Sequence, residues 1–303
     1  MKRAVSVSIG SSKRDKQVTF DLLGQTISLE RIGTDGDMQK AANLYKELDG
    51  QVGALGVGGA VLGLLVDQDW YDFHSILPLV KDVKQTPVVD GTGLKDTVER
   101  QAADVVAPLL NGQPKRVFQM SGVDRYGLAR GFTDSGYEQI YGDLLFSIGL
   151  PIPIRSDASL KRMTKLLAPI LSRFPFSWLY PTGEKQEHNK PKYSQYFDWA
   201  SVISGDCHYI TKYMPASLQG KIVVTNTTTP KDREIFKASG VRYLITTTPM
   251  LDGRSFGTNM IEAAILTAWD WKEPVHYGHP GNYFEKMQAV VAQLGLHPTI
   301  QEL

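Results

Sequence analysis

The stretch VFQMSGVDRYGLARGF, residues 117 to 132, decides how the chain is read. VFQM is an apolar run short enough to be a strand buried on both faces. YGLARGF carries apolar residues at helical spacing, and SGVDRYG links the two. Strand, tight turn and helix, repeated along a chain, build a doubly wound parallel sheet. The turn also exposes the first N–H groups of the helix, and these attract an anion. Gly122 would let a backbone come close, Gly127 would let the helix pack tightly, and Ser121 and Arg125 could reach a phosphate. The pattern G-x-G-x-x-G is absent, however, and Asp124 puts negative charge where a diphosphate would sit, unless it caps the helix. The turn therefore reads either as a nucleotide-phosphate loop or as a plain connection.

Outward from this stretch the pattern continues. Asp143 closes the next apolar run, YEQIYGD, about where an acidic residue accepts the ribose hydroxyls of NAD. DWASVISGD, KIVVTN and VRYLITT are further short apolar runs with polar ends, and a helical DREIFKASG separates the last two. Ligands bind beyond the carboxyl ends of such strands, which makes Thr225, Asn226, Thr227, Thr248 and Asn259 candidate cofactor contacts. Upstream, AVSVSIG, a hairpin around Gly24-Gln25, a helix capped by Asp35 or Asp37, GALGVGG, a second hairpin and TPVVDG mix strand directions. The composition changes at NGQPK, residues 111 to 115. The expected fold is thus α/β with two lobes: a mixed-sheet N-terminal domain over 1–112 and a doubly wound, Rossmann-like domain over 113–303. The last helix is free to pack back on the first lobe.

Composition narrows the function. Of 303 residues, 42% are hydrophobic and 21% charged, a globular balance with a formal net charge of +1. Neither nucleic acid nor an anionic membrane is favoured as a partner by such a balance. Cys207 is the single cysteine, so no internal disulfide and no thiolate metal cluster can form. No signal peptide is apparent and no run is long enough to span a bilayer, so a cytoplasmic location is expected. His276 and His279 stand three apart without a third ligand nearby, so no metal is expected. His208 reads as a packed residue or, less simply, a general base. A small-molecule substrate is the expected partner, and a homodimer is left open.

Six segments, GSSKRD, RIGTDGD, VVDGTGLKDTVER, SWLYPTGEKQE, SGDCHYI and TTTPMLDGRSFGTN, together resemble a bacterial family catalogued as quinate/shikimate 5-dehydrogenase-like proteins. The resemblance runs over essentially the whole chain. It implies a substrate lobe, an NAD(P)-binding Rossmann lobe and hydride exchange at a ring hydroxyl of a polyhydroxy carboxylate or cyclitol. Asp143 favours NAD over NADP, because it would repel a second phosphate. The Asn-Val-Thr-x-Pro-x-Lys and Gly-x-Asn-Thr-Asp motifs of shikimate dehydrogenases are absent, so the proton-transfer group is sought from chemistry. Lys95, partnered by Asp35 or Asp96, comes first, and Lys185 second. Ser11, Ser12, Lys13 and Arg14 follow the first strand and could grip a substrate carboxylate or phosphate, with Thr92 a further substrate contact. The alternatives are a transferase or isomerase acting on a phosphorylated or nucleotide-linked substrate, and a non-catalytic sensor.

Overall fold

The computed structural model describes residues 1–175, 189–248, 250–251 and 254–303. The chain divides into two compact units. Unit 1 comprises Met1–Leu94, Ala168–Phe176 and Met250–Ala292, and unit 2 comprises Lys95–Leu167, Ser177–Pro249 and Gln293–Leu303. The first break precedes the NGQPK stretch, and unit 1 takes back most of the C-terminal helical region.

In unit 1, β1 (Lys2–Ser8) lies between β3 (Gln25–Gly33) and β4 (Ala54–Gly58), parallel to both. The short β7 (Val88–Val89) follows β4 in parallel, and β2 (Lys16–Leu22) pairs antiparallel with β3. The order is β2-β3-β1-β4-β7. The β2–β3 hairpin turns at Leu23–Gly24, one residue earlier than the sequence suggested, with φ of 51° and 74°. Two successive positive φ values give the turn a twist that matches the flanking strands. Asp37 caps α1 (Met38–Leu48) by accepting from Lys40 N–H at 2.9 Å. A second hairpin, β5 (Gly63–Val66) with β6 (Asp69–Asp72), stands apart from the sheet. One reason unit 1 reclaims the late helices is packing. Helix α10 (Thr258–Trp269) is buried from Met260 to Ala268 and lies on β1, β3 and β4. Its Asn259 carbonyl is so near Gly56 that a Cβ there would stand 3.0 Å from it. Helix α11 (Tyr283–Gln293) buries Tyr283, Met287 and Val290.

In unit 2 the predicted doubly wound sheet is present. Strands β8 (Arg116–Gln119), β9 (Glu138–Tyr141), β10 (Val202–Ser204), β11 (Ile222–Thr225) and β12 (Tyr243–Thr246) are all parallel. An antiparallel β15 (Thr299–Glu302), which the sequence reading missed, closes the edge beside β12. The order is β15-β12-β11-β10-β8-β9, so the first strand lies inside the second and the winding reverses between β8 and β10. Helices cover both faces. Val117, Val202 and Ile222 pack with α4 (Tyr126–Asp134) and α3 (Ala102–Val106), while Phe118, Ile203 and Val223 pack with α7 (Ser194–Trp199) and α8 (Cys207–Tyr213). The long helix expected from Thr92 is broken into α2 (Thr92–Val98), a tighter turn at Glu99–Gln101, and α3. Among the described residues no helix is long and apolar enough to cross a membrane.

Candidate functional site

The carboxyl ends of β8 and β10, where the winding reverses, are where a doubly wound sheet opens a crevice. Gln119 and Ser204 are register partners there, so their side chains share a face. It is the face on which Val117 and Val202, two residues earlier, meet α4. An apolar strand pair thus ends in two buried polar side chains. Ser121 and Asp206 follow them.

Arg125 opens α4 and turns inward. Its guanidinium pairs with Glu99 through Nη1 and reaches Asp206 Oδ2 at 3.5 Å through Nη2. Arg125 is 6% exposed and Glu99 2%. Asp206 Oδ2 accepts from Asn226 Nδ2 at 2.7 Å, and Glu99 Oε1 accepts from Thr247 Oγ1 at 3.2 Å. Burial raises the Glu99 carboxyl above its ordinary range, and the charges of Arg125 and Lys95 pull it back. A buried ion pair is a poor device for stability alone, because desolvating both charges offsets most of their attraction. The pair is also incompletely satisfied. Glu99 Oε2, Arg125 Nε, Gln119 Oε1, Ser121 Oγ and Ser204 Oγ are buried and, among the described residues, have no hydrogen-bond partner. Such groups call for water or a ligand.

The turn after β8 is not an open phosphate loop. The Asp143 carboxylate accepts from Gly122 N–H at 2.9 Å and from Val123 N–H at 2.8 Å. It is buried, and burial pushes it up to about 6 although both N–H groups oppose the shift. Asp143 therefore closes the loop on itself rather than facing a ribose. Gly122 is required by packing: a Cβ there would stand 2.6 Å from Tyr141 Cδ1 and 2.9 Å from Leu160 Cδ2. Arg125 is engaged with two carboxylates. Gly127 abuts the backbone of Asp96, whose Cα would be 2.9 Å from an added Cβ. The charge of Asp124 bears on both Arg125 and Glu99.

The other expected residues separate. Thr225 Oγ1 donates to Asn226 Oδ1 at 3.2 Å, and Thr227 Oγ1 donates to Thr248 Oγ1 at 3.0 Å, all in unit 2. Asn259, expected with them, belongs to unit 1, where it donates to Ser6 Oγ at 2.7 Å and ties α10 to β1. Lys95 stands four residues before Glu99, and its charge is among those that lower the Glu99 carboxyl. Asp96 pairs instead with Arg100 at 3.5 Å. Asp35 lies in unit 1 and accepts from Ser12 N–H at 2.8 Å. Lys185 lies outside the described residues. Ser11 Oγ accepts from Lys13 N–H at 3.2 Å, Lys13 and Arg14 are exposed, and Thr92 N–H donates to Asp90 Oδ1 at 2.9 Å. Cys207 is buried, and burial pushes its thiol well up, which leaves it inert as a nucleophile. His208 is exposed and lines a cavity of about 620 Å³ with Thr211 and Asp232. The sequence reading missed Glu99, Gln119, Ser204 and Asp206. The available signal was a polar residue ending each of two otherwise apolar strands.

Comparison with known proteins gives a family without an activity. Residues 3–90 match the profile of one domain of unknown function, DUF8753, and residues 93–303 match a second, DUF8754. No curated protein matches the chain. Among solved structures, a crystal structure from Mycobacterium smegmatis aligns over 97% of this chain and 98% of its own, at 12% identity and a TM-score of 0.36. A galactofuranose binding protein aligns over 96% and 99%, at 12% identity and a TM-score of 0.38. The NAD-dependent malic enzyme from Thermotoga maritima aligns over 86% of this chain and 64% of its own, at 14% identity and a TM-score of 0.39. Likeness this distant says nothing about ligand or reaction. The gap between the two profiles lies beside the Leu94–Lys95 break between units. With residues 93–303 matched, the chain belongs to the family of the domain of unknown function DUF8754.

Proposed function

We propose that unit 2 binds an uncharged, hydroxyl-rich small molecule, a sugar or a cyclitol, at the carboxyl ends of β8 and β10. The observation that carries this reading is that the register partners Gln119 and Ser204, Ser121 just beyond them, and the paired Glu99 and Arg125 each keep a buried polar atom without a partner among the described residues. Each unsatisfied group costs about 1–3 kcal/mol. Adjacent hydroxyls, which donate and accept alike, match this mixed set of acceptors, donors and hydroxyls. A diphosphate matches it poorly. Glu99, Asp124 and Asp206 outnumber Arg125 and Lys95, and the loop N–H groups are already engaged by Asp143.

A second reading keeps the redox chemistry: NAD(P)-dependent hydride exchange at a ring hydroxyl of a quinate- or shikimate-like substrate. Its support is the segment resemblance and the position of Asp143 at the end of β9, against the loop where a dinucleotide would lie. It requires the dinucleotide to displace that carboxylate. Lys95 beside Glu99 would then be the group that takes the hydroxyl proton.

Calorimetric titration separates the two. The full chain is titrated with myo-inositol, quinate, shikimate and simple hexoses, and separately with NADH and NADPH. Saturable binding of a polyol that Ser204→Ala weakens, with no heat from either dinucleotide, supports the first reading. Binding of NADH that tightens in Asp143→Asn supports the second. Silence from every compound sinks both.

A further inference from the structure

We infer that unit 1 carries an oxyanion site of its own, for a carboxylate or phosphate group, walled by Ser8, Arg14 and Arg31 beside Gly10 at the carboxyl end of β1. The site stands on unit 1 alone and does not depend on the ligand proposed for unit 2.

The strands place it. In unit 1 the winding reverses between β1 and β4, the same kind of switch point that opens a crevice in doubly wound sheets. Around Gly10 three polar groups converge. A Cβ on this glycine would stand 3.2 Å from Arg31 Nη2, 3.3 Å from Ser8 Oγ and 3.4 Å from Arg14 Nη2. With no side chain at residue 10, that space is left to a ligand approaching from outside. At the end of β4, Gly59 has φ of 72° and likewise brings only backbone to the rim.

The groups are held in place before any ligand arrives. Thr34 N–H donates to Ser8 O, Asp35 N–H to Gly10 O and Gly36 N–H to Ile9 O, which lashes the loop to the segment after β3. Gly33 lies so close to Ser11 that a Cβ would meet its carbonyl carbon at 2.7 Å. Arg31 Nη1 is fixed by Asp15 Oδ1 at 2.7 Å and Ser11 O at 3.0 Å, and Nη2 by Ser8 Oγ at 2.9 Å. Ser8 Oγ also accepts from Gly10 N–H at 3.1 Å. A hydroxyl that accepts twice has its own hydrogen left to donate, and among the described residues nothing receives it.

Charge supplies the sign. Arg14 and Arg31 stand close enough in this loop system for their charges to interact, and Arg31 also feels the charges of Asp15 and Asp35. Burial lowers the Arg31 guanidinium most, the Asp15 charge opposes that shift, and the Arg14 charge adds to it. Arg14 has no carboxylate within ion-pair distance among the described residues. The Arg14 fork and the second Nη2 hydrogen of Arg31, flanking a hydroxyl, suit the oxygens of a carboxylate or phosphate.

The test uses the full chain at constant ionic strength, with inorganic phosphate in one arm and malonate in the other, and thermal unfolding as the readout. A saturable rise in Tm with a half-effect near ~1 mM is expected. Arg14→Gln should weaken it by about tenfold, roughly the strength of one charge-assisted contact. Gly10→Ala, which fills the space without removing charge, should weaken it as well. The charge-matched Lys237→Gln in unit 2 should leave it unchanged. A stronger effect from phosphate identifies a phosphorylated ligand, and a stronger effect from malonate a carboxylate. No saturable shift in either arm, or an equal loss in Lys237→Gln, overturns the site and leaves a solvated basic surface.

Discussion

Both units close the loop after their first strand with an aspartate that follows the neighbouring strand, yet the two aspartates have opposite electrostatics. Asp35, after β3, accepts from Ser12 N–H in solvent, and that hydrogen bond holds its carboxyl below the ordinary 3.8. Asp143, after β9, accepts from Gly122 and Val123 N–H inside the protein, and burial lifts it to about 6. The sheets share a strand order at this point, with β3-β1-β4 in unit 1 and β9-β8-β10 in unit 2. Topology therefore fixes where a ligand can sit but not its charge. Cations collect at the unit 1 switch point and carboxylates around a neutralised arginine at the other, which is why function has to be argued from side chains.

The sharpest way to break this contrast is to remove its buried cation. Arg125→Met should destabilise unit 2 by about 3–5 kcal/mol, because buried Glu99 loses its counter-charge, so that it must stay an unpaired anion or take up a proton, and Asp206 loses a cation as well. Adding Glu99→Leu should recover much of the loss. Urea unfolding of the single and double variants measures both. If Arg125→Met costs less than about 1 kcal/mol, the carboxylates are solvated and the site is not the desolvated crevice described.

Asp143 comes next. Asp143→Ala strands two N–H groups, at about 1–3 kcal/mol each, whereas Asp35→Ala should cost little because water replaces the carboxylate. The pH trends should also oppose each other. A carboxyl raised from 3.8 to about 6 contributes stability that is complete below the unfolded value and lost as pH rises through about 6. A lowered one contributes stability present above its unfolded value and lost in acid, as for Asp35. Unfolding curves between about pH 4 and pH 8 should show the Asp143 component, and Asp143→Asn should flatten it. Unchanged pH dependence in that variant would mean the carboxylate is hydrated.

Much of the fold was legible because its signals are local. VFQM, IVVT and YLIT are apolar runs of strand length with polar ends, and Asp37 and Gly50 bracket α1 as caps should. The site was less legible. Gly122 looks like a phosphate-loop glycine but is required by Tyr141 and Leu160, which come from later in the chain. Asp143 has the spacing of a ribose acceptor and is occupied by the loop it was expected to serve. Glu99 sits in what reads as an ordinary helix, and only tertiary packing brings it to Arg125. Asn259 has the composition of a cofactor contact yet folds into the other unit. Spacing locates such residues along the chain, whereas long-range contacts decide what each is left free to do.

The last contrast is between two buried glutamates. Glu99 meets an arginine, whereas Glu262 in unit 1 meets hydroxyls and a backbone N–H. Glu262 Oε1 accepts from Tyr283, from Tyr277 Oη at 3.1 Å and from Gly93 N–H at 3.2 Å. With no cation against it among the described residues, burial carries its carboxyl to about 8, and the charge of Asp90 adds to the rise. It is thus mostly protonated at neutral pH and already resembles an amide in charge. Glu262→Gln keeps the accepting oxygen, so near pH 5 it should change stability by under about 1 kcal/mol. As pH rises toward 8 the wild type loses stability with its proton and the variant does not, so the difference should turn in favour of glutamine. Urea unfolding of both proteins at about pH 5 and pH 8.5 measures it. A variant strongly destabilised at the lower pH would mean Glu262 is held as an anion, and the difference between the two glutamates would vanish.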